Sequence, residues 1–205
     1  MNDEVTRIPV FMQQMAATIT KTAGILDQDQ MAAFFQEMLS AKKVYVAGAG
    51  RSGFIAKAFG LRLMHLGLDV YVVGETITPA FQSGDTLVVF SGSGETHSMV
   101  SICGTAKELG GTVCLITSSP DSKMSRMADC VVNLGDLTGY YRKDKNSFEI
   151  RQLTGEYRSV TSAFAPLGTL FETLALIFSD AVISALMEEK KAEIDQMRAR
   201  ITNVE

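Results

Sequence analysis

Apolar and polar positions follow two different periods along this chain, and the change of period divides it. Over the first ~40 residues apolar side chains recur every three or four positions, as in VTRIPVFMQQMAATITKTAGIL, a spacing that predicts helices. Pro9 belongs at the start of such a helix, or breaks it, because proline lacks the N–H a helix interior needs. Asp27 is placed to cap a second helix, QDQMAAFFQEMLSA, with its carboxylate. From residue 43 the period shortens. KVYVAG (43–48), DVYVVG (69–74), TLVVFSG (86–92), TVCLITSS (112–119) and CVVNLG (130–135) are short runs rich in β-branched residues. Such near-continuous apolar runs predict strands buried on both faces, the signature of a parallel sheet. Between them, GFIAKAFGLRLMHLG and ETHSMVSICGTAKELGG return to helical spacing and stop at glycine. PDSKMSRMAD is a short helix with Ser122 as its cap.

Strand and helix alternate, which specifies β-α-β units with helices on both faces of an open sheet. In such sheets ligands bind beyond the carboxyl ends of the strands, near the point where strand order reverses. Residues 136–162, DLTGYYRKDKNSFEIRQLTGEYRSVTS, are polar and irregular, long enough to imply a lid or an interface segment. PLGTLFETLALIFSDAVISALM (166–187) is a long, mostly apolar helix with Pro166 suited to its first turn. It is too apolar all round for a surface helix, so burial on several sides or in a subunit interface is expected.

A chain of 205 residues favours one domain, here divided as N-terminal helices (1–41), core (42–187) and helical tail (188–205). With 46% apolar and 20% charged residues it has the profile of a soluble globular protein. A net charge of −4 and no dense Lys/Arg cluster argue against a nucleic-acid surface. No uninterrupted apolar run reaches the ~18 residues that would span a bilayer. The N-terminus lacks a basic stretch followed by an apolar one, so a cytoplasmic location without membrane attachment is expected. Cys103, Cys114 and Cys130 read as buried free thiols in a reducing compartment. Two histidines leave little scope for a histidine metal cluster, and no metal is expected.

Two loops carry the candidate chemistry. GAGRSG (48–53) follows a strand, opens a helix and matches the dinucleotide fingerprint, with Glu75 about 20 residues on as the acid such a fold would use. Against that reading, Arg51 and Ser52 place bulk where a pyrophosphate must meet bare backbone, and the second loop stays unexplained. That loop, Ser91-Gly92-Ser93-Gly94-Glu95-Thr96, is also a strand-to-helix turn. Its backbone N–H groups, the hydroxyls of Ser91, Ser93 and Thr96 and the positive end of the next helix make a compact dianion site without a lysine. One phosphomonoester fits it. The plainer alternative is ordinary helix capping by serine and threonine.

The segments GAGRSGFIAKAFGLRLMHLG, VYVVGETITPAF, SGSGET and PLGTLFE resemble the sugar isomerase (SIS) domain family, and within it the 6-phospho-3-hexuloisomerase group. The resemblance spans about 44–187. It implies a flavodoxin-like α/β sandwich: three layers, a five-stranded parallel sheet, N-terminal helices and a long C-terminal helix. It implies homo-oligomers, dimers or tetramers, no metal or organic cofactor, and a sugar phosphate held by the Ser/Thr loops. The candidate phosphate contacts in and beside those loops are Gly50, Arg51, Ser52, Ser91, Gly92, Ser93 and Thr96. His97 follows the second loop and is placed to touch phosphate or a sugar hydroxyl, and sharing of sites between subunits is expected. The implied reaction interconverts arabino-3-hexulose 6-phosphate and fructose 6-phosphate in formaldehyde fixation (the ribulose monophosphate pathway), beside 3-hexulose-6-phosphate synthase. Competing readings are another aldose–ketose phosphate isomerase, a non-catalytic sugar-phosphate sensor, and a dinucleotide-binding oxidoreductase.

Moving a carbonyl along a sugar needs a base near neutral pKa and a donor to the developing oxyanion. Glu172 is the candidate base, an acid in an otherwise apolar helix where desolvation would raise its pKa. The alternative is a solvated first-turn glutamate favoured by the helix dipole. His65 is the second catalytic candidate. It lies roughly 20 Å along its helix from the first loop, so it would act in a neighbouring subunit's site or else be a core histidine. Arg51 either adds charge to the phosphate or pairs with an acid at the sheet edge. Glu95 is expected to favour the helix N-terminus, and Glu75, Thr76 and Thr78 to line the pocket.

Overall fold

A computed structural model describes residues 5–135, 169–191 and 194–201. Two helices, α1 (Arg7–Ala23) and α2 (Gln28–Ser40), precede a core of β1 (Val44–Gly48), α3 (Arg51–His65), β2 (Val70–Val72), β3 (Thr86–Phe90), α4 (His97–Glu108), β4 (Thr112–Thr117), α5 (Lys123–Met127) and β5 (Cys130–Asn133). The long α6 (Thr169–Glu189) and the short α7 (Ile194–Arg198) follow. All five strands are parallel, in the order β2-β1-β3-β4-β5. This is the flavodoxin-like order, distinct from the 3-2-1-4-5-6 order of a dinucleotide fold.

Side-chain alternation along the strands sorts the core into two layers. Val44, Val46, Val88, Phe90, Cys114, Ile116 and Val132 face one side and pack with Phe34 and Met38 of α2, Phe59 and Leu63 of α3, and Leu170, Phe171, Leu174 and Phe178 of α6. Tyr45, Ala47, Leu87, Val89, Val113 and Leu115 face the other and meet Met99, Cys103 and Ala106 of α4 and Met124 of α5. Both faces are covered, so the strands are apolar throughout.

The expected elements are present with shifted ends. Strands β3 and β4 each stop two residues before the expected limits, at Phe90 and Thr117, where the loops begin. Helix α3 starts at Arg51, directly after Gly50. Pro9 is the third residue of α1, inside the first turn where its missing N–H has no partner to lose. Asp27 caps α2, accepting from the Gln30 N–H at 3.0 Å, and Ser122 caps α5 through the Ser125 N–H. The three cysteines are buried free thiols, with Cys114 and Cys130 opposite each other on β4 and β5.

Although no unbroken apolar run is that long, α6 as a whole is long and apolar enough to cross a membrane, and nine of its 21 residues are buried. It packs against α1, α2 and α3, as its all-round apolarity requires. Pro166 and the segment 136–162 lie outside the described residues.

Candidate active site

The order in which the chain adds strands reverses between β1 and β3, and the two Gly/Ser loops follow those two strands. Gly48 stands opposite Phe90 in register, so both loops leave the sheet side by side. Such a reversal opens a crevice at the carboxyl edge of the sheet.

The first loop is a backbone-to-backbone contact. A Cβ on Gly48 would lie 2.7 Å from the main chain of Ser52, and one on Gly53 would lie 2.8 Å from the Gly48 carbonyl oxygen. Only hydrogen at these positions lets the strand end touch the first turn of α3. Gly50 turns the chain with φ 58, ψ −130, and Ser52 is buried beneath it.

In the second loop the Ser91 Oγ accepts from the Gly94 N–H at 3.2 Å, and the Ser93 Oγ accepts from the Glu95 N–H at 3.3 Å. These hydroxyls therefore shape the turn. Gly94 has φ 61, and a Cβ there would fall 1.9 Å from the Ser122 Oγ. Neither α3 nor α4 has a side-chain cap: Gly50 has none to offer, and the Thr96 hydroxyl makes no cap bond. No capping side chain therefore competes with a bound anion at these two helix starts, although the Gly53 N–H already donates to the Gly50 carbonyl at 3.1 Å.

Glu95 favours a helix N-terminus, but that of α5 and not its own. Its carboxylate accepts from the Lys123 N–H at 2.8 Å and pairs with Lys123 Nζ at 3.4 Å. The turn after β4 joins the second loop. The Thr117 and Ser118 hydroxyls both donate to the Gly92 carbonyl, at 3.3 and 3.0 Å, and the Met124 N–H donates to the Gly94 carbonyl at 3.1 Å. This third hydroxyl-rich turn, TSSPDS at 117–122, buttresses the second. The signal was present as serines at a third strand end.

Glu172 is the fourth residue of α6. The neighbouring Phe171 ring lies against Gly92, where a Cβ would sit 3.0 Å from it, so the start of α6 is held on the second loop. The Glu172 side chain is 12% exposed, and Arg51 Nε donates to its Oε2 at 3.1 Å. Burial raises the Glu172 pKa above the ordinary carboxylate value, and the Arg51 charge and hydrogen bond offset part of that rise. Of the two expectations for Arg51, pairing with an acid is the one observed, but the acid is on α6 and not at the sheet edge.

The remaining candidates scatter. His97 is exposed as the first residue of α4, next to the second loop. His65, 7% exposed, is buried at the far end of α3, and its carbonyl accepts from Arg200. Glu75 and Thr76 are exposed after β2, where Glu75 pairs with Lys57 of α3 at 2.5 Å. Thr78 lines a separate, apolar hollow of about 260 Å³ between the β2–β3 connection and α4, with Tyr45, Val73, Phe81, Ile102 and Leu109. Its hydroxyl donates to the Val72 carbonyl. That hollow touches neither loop.

The family model described as SIS domain matches residues 37–135. A 3-hexulose-6-phosphate isomerase of Bacillus subtilis (strain 168) is 33% identical over 195 residues, covering 95% of this chain and 97% of that protein. A 3-hexulose-6-phosphate isomerase of Mycobacterium gastri is 34% identical over 187 residues, covering 91% of this chain and 86% of the other. A solved structure from Methanococcus jannaschii, for which the function of a 3-hexulose-6-phosphate isomerase has been inferred, superposes with a TM-score of 0.75 at 29% identity, covering 95% of this chain and 98% of that one.

Proposed function

The chain belongs to the SIS domain family, and from that premise we propose that it interconverts arabino-3-hexulose 6-phosphate and fructose 6-phosphate. The observation that carries this reading is a buried carboxylate, Glu172, docked by Phe171 onto a loop whose amides and hydroxyls suit one phosphate. The phosphate is held by the N-termini of α3 and α4 and by Ser52, Ser91, Ser93 and Thr96, with His97 at the rim. Binding at that remote group holds the sugar in register for the chemical step.

Glu172 removes the proton from C2, next to the C3 carbonyl. The resulting enediol(ate) shifts its hydroxyl proton from O2 to O3, and the carbon proton is returned to C3. The base must be ionised to act, and its raised pKa makes it a better proton acceptor than a surface glutamate. His65 serves the site of a neighbouring subunit. Exposed apolar residues on α1 (Ile8, Met12), α3 (Phe54, Leu61) and α6 (Leu176, Ile177) support a homo-oligomer, which we assign as a tetramer. The enzyme works in the cytoplasm beside 3-hexulose-6-phosphate synthase, in formaldehyde fixation by the ribulose monophosphate pathway.

One assay tests the reading. With fructose 6-phosphate and the synthase supplied, formaldehyde should be released only when this protein is present and without added nicotinamide or metal. No release would defeat it. Recovery of activity on mixing His65→Ala with Glu172→Gln subunits tests the shared site, and no recovery would count against sharing.

A further inference from the structure

The Arg51–Glu172 pair joins two very different surroundings. The Glu172 side chain is 12% exposed while that of Arg51 is 60% exposed. Arg51 opens α3, directly after Gly50, so it stands beside the uncapped helix end and next to Ser52. A Cβ on Gly50 would meet nothing within 4 Å, so there is open space at that turn. A guanidinium carries five N–H donors in a rigid fork, and the bond to Oε2 at 3.1 Å uses one of them.

We propose that Arg51 is a positioning residue divided between two anions: it holds the Glu172 carboxylate until a sugar phosphate binds, and the phosphate then draws its guanidinium away. The proposal rests on the preceding reading that the two loops hold the phosphate. A phosphomonoester dianion flanked by two helix N-termini competes for one cation against a single carboxylate. As the guanidinium leaves, Glu172 keeps its burial and loses its counter-charge, so its proton affinity rises when substrate is in place. Linkage requires the reciprocal effect: anything that neutralises Glu172 must tighten phosphate, and must do so through Arg51.

The helices packed on α6 carry Arg7 and Lys21 (α1), Asp29 and Glu37 (α2), and Arg51, Lys57, Arg62 and His65 (α3), while α6 itself carries Asp180, Glu188 and Glu189. Of these, Arg51 is the group that acts on the Glu172 carboxyl.

The test is a double-mutant cycle read by titrating inorganic phosphate into the full-length protein, followed by 31P NMR. Glu172→Gln should tighten phosphate about fivefold in the wild-type background and leave it unchanged in an Arg51→Gln background. A gain that persists without Arg51 would mean simple removal of a repelling charge and would overturn the proposal. The pH profile of kcat/KM, which reports the free enzyme in which Arg51 still holds Glu172, gives a second readout. Without its cation Glu172 ionises at higher pH, so Arg51→Gln should move the acid limb up by about one unit, and Arg51→Lys by less. An unmoved limb would also overturn it. Should Arg51→Gln fail to fold by circular dichroism, the Arg51→Lys background serves for the same cycle: a gain smaller than in the wild-type background is expected, and an undiminished gain would overturn the proposal. If wild type shows no isomerase turnover but the phosphate cycle behaves as stated, the catalytic reading fails and the sharing of Arg51 stands.

Discussion

Helices α2 and α5 are capped by side chains, whereas α3 and α4 are not. Asp27 and Ser122 fold back to accept a first-turn N–H, while Gly50 and Thr96 supply no side-chain acceptor. The start of α2 lies by β5, away from the crevice between β1 and β3, and that of α5 packs on the outside of the second loop through Ser122 and Gly94, whereas α3 and α4 start directly from the two loops. A side-chain cap and a bound anion compete for the same N–H groups, so the ends meant for a ligand are left without the internal acceptor. The contrast gives the four helix starts opposite expected responses to mutation.

The largest effect is expected for the group the open ends serve. Glu172→Gln should lower turnover by about 10³-fold with phosphate still bound, as measured in the coupled formaldehyde assay. Activity near wild type would remove Glu172 from the role. The same substitution should not harm the fold. Burial raises this carboxyl above its unfolded pKa, so its protonation stabilises the protein at low pH and that contribution is lost as pH rises through the folded value. At neutral pH the ionised form is a net cost, partly offset by Arg51. Thermal melts should therefore place Glu172→Gln at or above wild type at pH 7–8, with the difference vanishing in acid.

Next come the two turns. Gly94→Ala should lose about 2–3 kcal/mol by denaturant titration, because positive φ adds to a collision with Ser122. Gly50→Ala has a positive φ but open space, and about 1–2 kcal/mol is expected. Equal losses would show that strain and not space governs both.

The smallest effects bear on capping itself. Asp27→Ala should lose about 1 kcal/mol of stability and leave phosphate affinity untouched. Thr96→Ala should change stability by less than about 0.5 kcal/mol, having no cap bond to lose, yet weaken phosphate. A stability loss at Thr96 equal to that at Asp27 would erase the distinction between open and capped ends.

Much of this was legible in one dimension. Strand alternation, the Asp27 and Ser122 caps and the glycine-rich turns are local matters, decided by a side chain's shape and its nearest neighbours along the chain. The turn after β4 could have been read the same way, since its serines also close a strand. The partner of Arg51 could not, because Glu172 lies 121 residues away and no spacing rule joins the starts of α3 and α6.

The amino-acid order alone determined the parallel α/β architecture, the two glycine-rich strand-to-helix turns and the presence of one acid in an apolar helix. Only the tertiary structure decided that Glu95 serves α5, that Thr78 turns into a separate hollow, and that Arg51 meets a buried Glu172. Periodicity and capping are short-range and repeat along the chain, but which charge meets which is settled by the packing of α6 on α3 and by Phe171 seated on Gly92, contacts that exist only once the core has closed.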